Sequence, residues 1–167
     1  MDKKQQEIKL AYEQLQKKHQ TLPSFTDMDN EIEFVDFLSQ RDSIPIHLES
    51  NLRRRLVDVV GSWINYLLNF VMPNQQSMIL VHEAENVSEE ERDEILMLIN
   101  QLMFMNRQSA QLELKRSQEE DIKFIVTTYN KWLTMKETML KITNNNVKIW
   151  EKAIGKKIKE EKTHYFG

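Results

Sequence analysis

Two stretches of this chain, Ser88-Glu89-Glu90-Glu91 and Ser117-Gln118-Glu119-Glu120, carry the same helix-start signal. In each, the serine oxygen can accept the amide of the third helical residue, while the glutamate at that position reaches back to the serine amide. Two donors that a helix end otherwise leaves orphaned are then satisfied together. A long run with apolar residues every three or four positions follows each start. The pair predicts two long antiparallel helices, over 88–116 and 118–143.

Punctuation elsewhere is sparse. The 167 residues include only three glycines and three prolines, and a β-rich chain needs many more turn residues than that. Glutamate, lysine, leucine, glutamine and methionine, all good helix formers, dominate instead. The expected fold is therefore all-α: a compact bundle of three long helices, about 46–71, 88–116 and 118–143, with shorter N- and C-terminal helices. With no low-complexity linker, residues 1–167 read as one helical domain with a core bundle over 24–143.

Residues 2–20 predict a first helix with a thin stripe, Ile8, Ala11 and Leu15, which suggests loose docking. Leu22-Pro23-Ser24 ends it. A second helix is expected over 26–39, capped by Thr26 or Asp27, with Met28, Ile32, Val35 and Phe37 or Leu38 inward. In the third helix Leu52, Leu56, Val59 or Val60, Trp63, Leu67 and Phe70 or Val71 form a broad stripe, and Gly61 suggests a close approach of another helix beside Trp63. Met78 to Val81 fits either a helical turn or an extended segment. Ile95 to Ile99 and Leu102 to Met105 are apolar throughout, which predicts a helix buried on all sides at the centre of the fold. Ile122, Ile125, Tyr129, Trp132 or Leu133, and Met139 or Leu140 line the last long helix. Asn144-Asn145-Asn146 predicts a break, followed over 147–167 by a separate amphipathic helix and tail.

Several chemistries find no support. Without cysteine there is no disulfide, thiolate metal site or cysteine nucleophile. No pair of Glu-x-x-His motifs suits a di-iron bundle, and Asn86 stands where a His82-Glu83 metalloprotease motif needs its second histidine. Dispersed glycines exclude a phosphate-cradling loop and a nucleophile elbow. No metal or cofactor is expected. The most apolar run, Leu56 to Met72, is shorter than a bilayer span and carries Asp58, Asn65 and Asn69. A polar N-terminus without a secretory pattern and the lack of cysteine favour the cytoplasm.

The net charge is −3, but it is unevenly spread. Residues 21–50 and 73–95 each hold seven acids and one arginine, whereas 144–167 hold six lysines and three glutamates. These patterns favour a non-catalytic protein–protein interaction, adaptor or assembly role, with another protein or a second copy as partner. The candidate contacts are Glu89, Glu90 and Asp93 in the acidic segment, and Trp150, Ile154 and Ile158 in the C-terminal helix. A second reading is a nucleic-acid-associated module. It would use Arg53, Arg54 and Arg55 with the lysines of 148–162, notably Lys148, Lys152 and Lys156, as phosphate contacts. The alternative is that the arginines pair with the acids of 21–50 or 83–94.

A third reading starts from Arg41 and His47, six residues apart. This spacing resembles the arginine–histidine motif of the HEPN ribonucleases, which are small all-helical proteins. The resemblance implies that these two side chains would handle a scissile phosphate and its attacking hydroxyl.

Overall fold

The structure is a computed structural model that describes residues 2–164, with side chains described for residues 2–152 and for Ile154. Among the described residues there are seven helices and no strand: α1 (Lys3–Lys18), α2 (Phe25–Ile32), α3 (Phe34–Ser39), α4 (Leu48–Val71), α5 (Met78–Glu85), α6 (Glu89–Lys115) and α7 (Gln118–His164). The fold is all-α as expected, and α4, α6 and α7 form its core bundle. The chain divides into two compact units, Met1–Ile64 with Asn100–Trp132, and Asn65–Ile99 with Leu133–Gly167.

In the first unit, Asp2 caps α1 through a reciprocal box with Gln5. The buried stripe of α1 is Ile8, Tyr12 and Leu15, with Tyr12 in place of the expected Ala11. Tyr12 packs against Phe25 and Phe34, with ring centroids 5.8 and 5.2 Å away, and donates its hydroxyl to the Pro23 carbonyl at 2.9 Å. Burial pushes that hydroxyl well above its ordinary pKa.

The single helix expected over 26–39 is two helices. Ser24, not Thr26 or Asp27, caps α2, accepting the Asp27 amide at 3.1 Å. Glu33 then adopts a left-handed conformation, φ 48°. The Asp29 carboxylate accepts the Val35 amide at 2.9 Å, so a side chain supplies the partner that the interrupted ladder cannot. The kink lets Ile32, Phe34, Val35 and Leu38 all reach the interior.

Helix α4 begins at Leu48, two residues later than expected, and leaves Ile46 exposed. Leu52, Leu56 and Val60 are buried. A Cβ on Gly61 would meet only Asn106 Nδ2, at 3.9 Å, so this glycine marks no close helix approach. Trp63 packs on Trp132 at 6.5 Å, and Trp132 donates its indole N–H to Glu31 at 3.0 Å. Arg116, at φ 53°, turns the chain from α6 to α7. Ser117 accepts the Glu120 amide at 3.4 Å, while the Glu120 carboxylate turns to Lys115 Nζ at 3.2 Å.

In the second unit, Leu67 and Phe70 of α4 are buried. The ambiguous segment after Ser77 is helix α5, capped by that serine. Both halves of the Ser88 box form, at 3.2 and 3.3 Å.

Two expectations fail on the long helices. Helix α6 is not buried on all sides: Ile95, Leu98, Ile99, Leu102 and Met105 are buried, but Leu96, Met97, Met103 and Phe104 are exposed. A helix inside a bundle offers its neighbours one face, and this sequence is apolar on two. Nor does α7 break at Asn144-Asn145-Asn146, for it runs unbroken to His164, and among the described residues there is no separate C-terminal helix. Asn145 donates to Glu91 at 2.5 Å and Asn146 to Glu83 at 3.2 Å. Bonded to acids on α5 and α6, these two amides do not compete for their own backbone, the tendency that makes asparagine a helix breaker.

Candidate interaction surfaces

The three consecutive arginines lie in the first unit, and none presents a free basic face. Arg53 is 2% exposed. It donates to the Ser109 carbonyl and hydroxyl at 2.8 and 2.5 Å and to Glu113 at 2.5 Å, and its Nε lies 2.7 Å from Asp121. Asp121 also accepts the Ser50 hydroxyl at 2.8 Å. The buried cation thus meets two carboxylates and a carbonyl, the condition under which burying charge is tolerated. Arg54 pairs with Glu113 through two nitrogens. Arg55 donates to the Ile32 carbonyl at 2.6 Å, approaches Glu33 at 3.8 Å and lies over the Phe37 ring. The arginines are clamps between helices; ion pairing was expected with acids of 21–50 or 83–94, but only Glu33 comes from there, and Glu113 and Asp121 take Arg53 and Arg54.

Arg41 and His47 are linked through Asn51. Arg41 donates to the Asn51 side chain at 2.5 Å and lies over Phe37. Asn51 in turn donates to the His47 backbone carbonyl at 2.7 Å. The imidazole points outward, 77% exposed, with Nδ1 3.4 Å from Glu49. The arginine therefore braces the backbone of the segment through Asn51. A polar hollow does contain His47, together with Arg54, Glu113 and Arg116, but not Arg41. Among the described residues, no group of three metal-ligating side chains is found.

The second unit holds the other residues singled out by sequence. Trp150 donates its indole N–H to Glu83 at 2.8 Å and packs edge-on against His82 at 5.5 Å. It is half-buried and serves to fasten α7 to α5. Glu89, Glu90 and Asp93 are exposed on the first turns of α6. Lys148 and Lys152 are exposed at the rim of a cavity of about 210 Å³, whose floor includes Phe70, Ile95 and Ile142. Ile154 is 58% exposed. The side chains of Lys156 and Ile158 lie outside the described residues.

Two features escaped the sequence reading. The first is a ladder on α7: Leu133, Leu140, Val147 and Ile154 are 37, 53, 55 and 58% exposed. They recur at seven-residue intervals, and all belong to the second unit. The signal was present as that interval, but the wider apolar pattern of α7 hid it. The second is a groove of about 300 Å³ in the first unit, between α6 and α7, with Met105, Leu112 and Phe124 in its floor and Lys115, Lys123 and Lys131 on its rim.

No protein-family model matches the chain, and no curated protein or solved structure does either. The functional reading therefore rests on the geometry alone. Among the described residues, no helix is long and apolar enough to cross a membrane.

Proposed function

We propose that this chain is a non-catalytic helical adaptor, and that α7 binds a helix of another protein along Leu133, Leu140, Val147 and Ile154. The observation that carries this reading is the exposed seven-residue ladder. Only another helix stays in register with such a repeat, because two helices wound gently about each other meet every 3.5 residues. Over its length of about 31 Å, exposed Glu137, Asn144 and Glu151 stand between the rungs of the ladder, four residues after Leu133, Leu140 and Val147. The two glutamates have no ion-pair partner among the described residues, so this face calls for a partner helix with basic residues beside its apolar stripe. A second copy would bring the same acids. Four side chains also fall well short of the roughly 800 Å² per partner of a stable standard interface, which fits a reversible contact.

The basic residues of the other two readings are placed differently: Lys148 and Lys152 are exposed, whereas the arginines are engaged. The arginine cluster is held in ion pairs, and Arg41 donates to Asn51. The test uses the full chain and two labelled helical peptides with leucines at a and d positions, one flanked by lysine and the other by glutamate. The lysine-flanked peptide is expected to bind, and Leu140→Glu with Val147→Glu to abolish binding without loss of helicity. Sedimentation should show a monomer. Binding that survives the double substitution, or no binding at all, would overturn the proposal. So would a dimer that the double substitution dissolves, since the occupant would then be a second copy.

A further inference from the structure

The groove of the first unit has a chemistry of its own. Its floor mixes apolar and polar groups: Phe124, Met105 and Thr128 are buried and Leu112 is half-buried. Three lysines and one acid, Glu120, stand on its rim. Lys115 is engaged with that acid at 3.2 Å. Lys123 and Lys131 are exposed and have no hydrogen-bond or ion-pair partner among the described residues. Two turns of α7 separate them, a rise of about 12 Å. A net −3 chain that leaves two cations unanswered along one groove has a local field opposite to its overall charge.

We propose that this groove binds a short acidic segment of a partner protein, with an apolar side chain seated over Leu112 and Phe124 and carboxylates spaced to meet Lys123 and Lys131. An extended segment reaches that spacing with acids about four residues apart. The inference is independent of the α7 ladder, which lies in the other unit and calls for the opposite charge. Single-stranded nucleic acid is the less favoured occupant. Its bases need an exposed aromatic platform, and Phe124 is 7% exposed beneath the rim.

The test is fluorescence anisotropy with the full chain and three labelled probes: a twelve-residue peptide of alternating Glu-Leu pairs, its Lys-Leu counterpart and a twelve-nucleotide oligouridylate. The Glu-Leu peptide is expected to bind, with affinity falling as salt is raised. Lys123→Glu with Lys131→Glu should weaken it about tenfold or more, since two attractive pairs become repulsive. Both lysines are exposed and unpaired, so the thermal melt should not move. Leu112→Ala should weaken binding while leaving the salt dependence intact. Tighter binding of the oligouridylate would overturn the proposal in favour of nucleic acid. Equal binding of both peptides, indifference to the lysine substitutions, or no binding of the Glu-Leu peptide would also overturn it.

Discussion

Arg53 Nε lies 2.7 Å from Asp121, and the two side chains are 3% and 2% exposed. The pair joins α4 to α7, with Ser109 and Glu113 of α6 completing the guanidinium's contacts. Breaking such a pair leaves an uncompensated buried charge and costs about 3–5 kcal/mol, whereas removing both charges costs far less. Arg53→Met and Asp121→Leu should each lower stability by that order in urea denaturation. The double variant should lose clearly less than the two singles together. Additive losses would show that the two residues do not act as a pair.

Glu113 gives the acid response. Hydrogen bonds from Arg54, and then from Arg53, hold its carboxyl down from 4.5 to about 2. A depressed folded-state pKa contributes stability that is present above about 4.5 and is lost as pH falls towards 2. The group is 42% exposed, so solvent screening reduces the contribution below what the shift alone suggests. The stability difference between the native chain and Glu113→Gln should be constant from neutral pH down to about 5 and shrink between 4.5 and 2. A difference that stays flat through that window would disprove the coupling.

Trp150 and Glu83 lie 2.8 Å apart across the second unit. Trp150→Phe keeps most of the ring and removes the donor. Hydrogen bonds to charged groups contribute about 1.5–3 kcal/mol, and Asn146 continues to serve the same Glu83 oxygen, so a loss of about 1–2 kcal/mol is expected in thermal unfolding. Glu83→Leu, which leaves both donors unpaired, should cost more. A neutral Trp150→Phe would mean that the indole is held by packing alone.

Local signals carried the sequence reading well and long-range ones poorly. The Ser88 box was legible because cap and partner are three residues apart. The all-α class followed from composition and periodicity. The Asn144-Asn145-Asn146 run misled because its fate depends on Glu83 and Glu91, over fifty residues away in sequence. The run of apolar residues from Ile95 to Met105 misled because periodicity records which faces are apolar, not which face a neighbour covers. The burial of Arg53 needed Asp121 and Ser109, neither adjacent in sequence. The lysine-rimmed groove needed the pairing of α6 with α7, and only the seven-residue spacing of Leu133 to Ile154 could have been found by counting.

Gly61 offers a gain in stability. It sits inside α4, where glycine costs about 0.8–1 kcal/mol relative to alanine, and a Cβ there would make only an ordinary contact with Asn106 Nδ2 at 3.9 Å. The residue has no positive φ to protect. Gly61→Ala should therefore raise the unfolding free energy by about 0.5–1 kcal/mol, seen as a higher urea midpoint with an unchanged slope. Tryptophan emission should not change, since the pairing of Trp63 with Trp132 needs no room at residue 61. A lowered midpoint would mean that the glycine is retained for a close backbone contact, and that the helix-spacing role expected from the sequence is real.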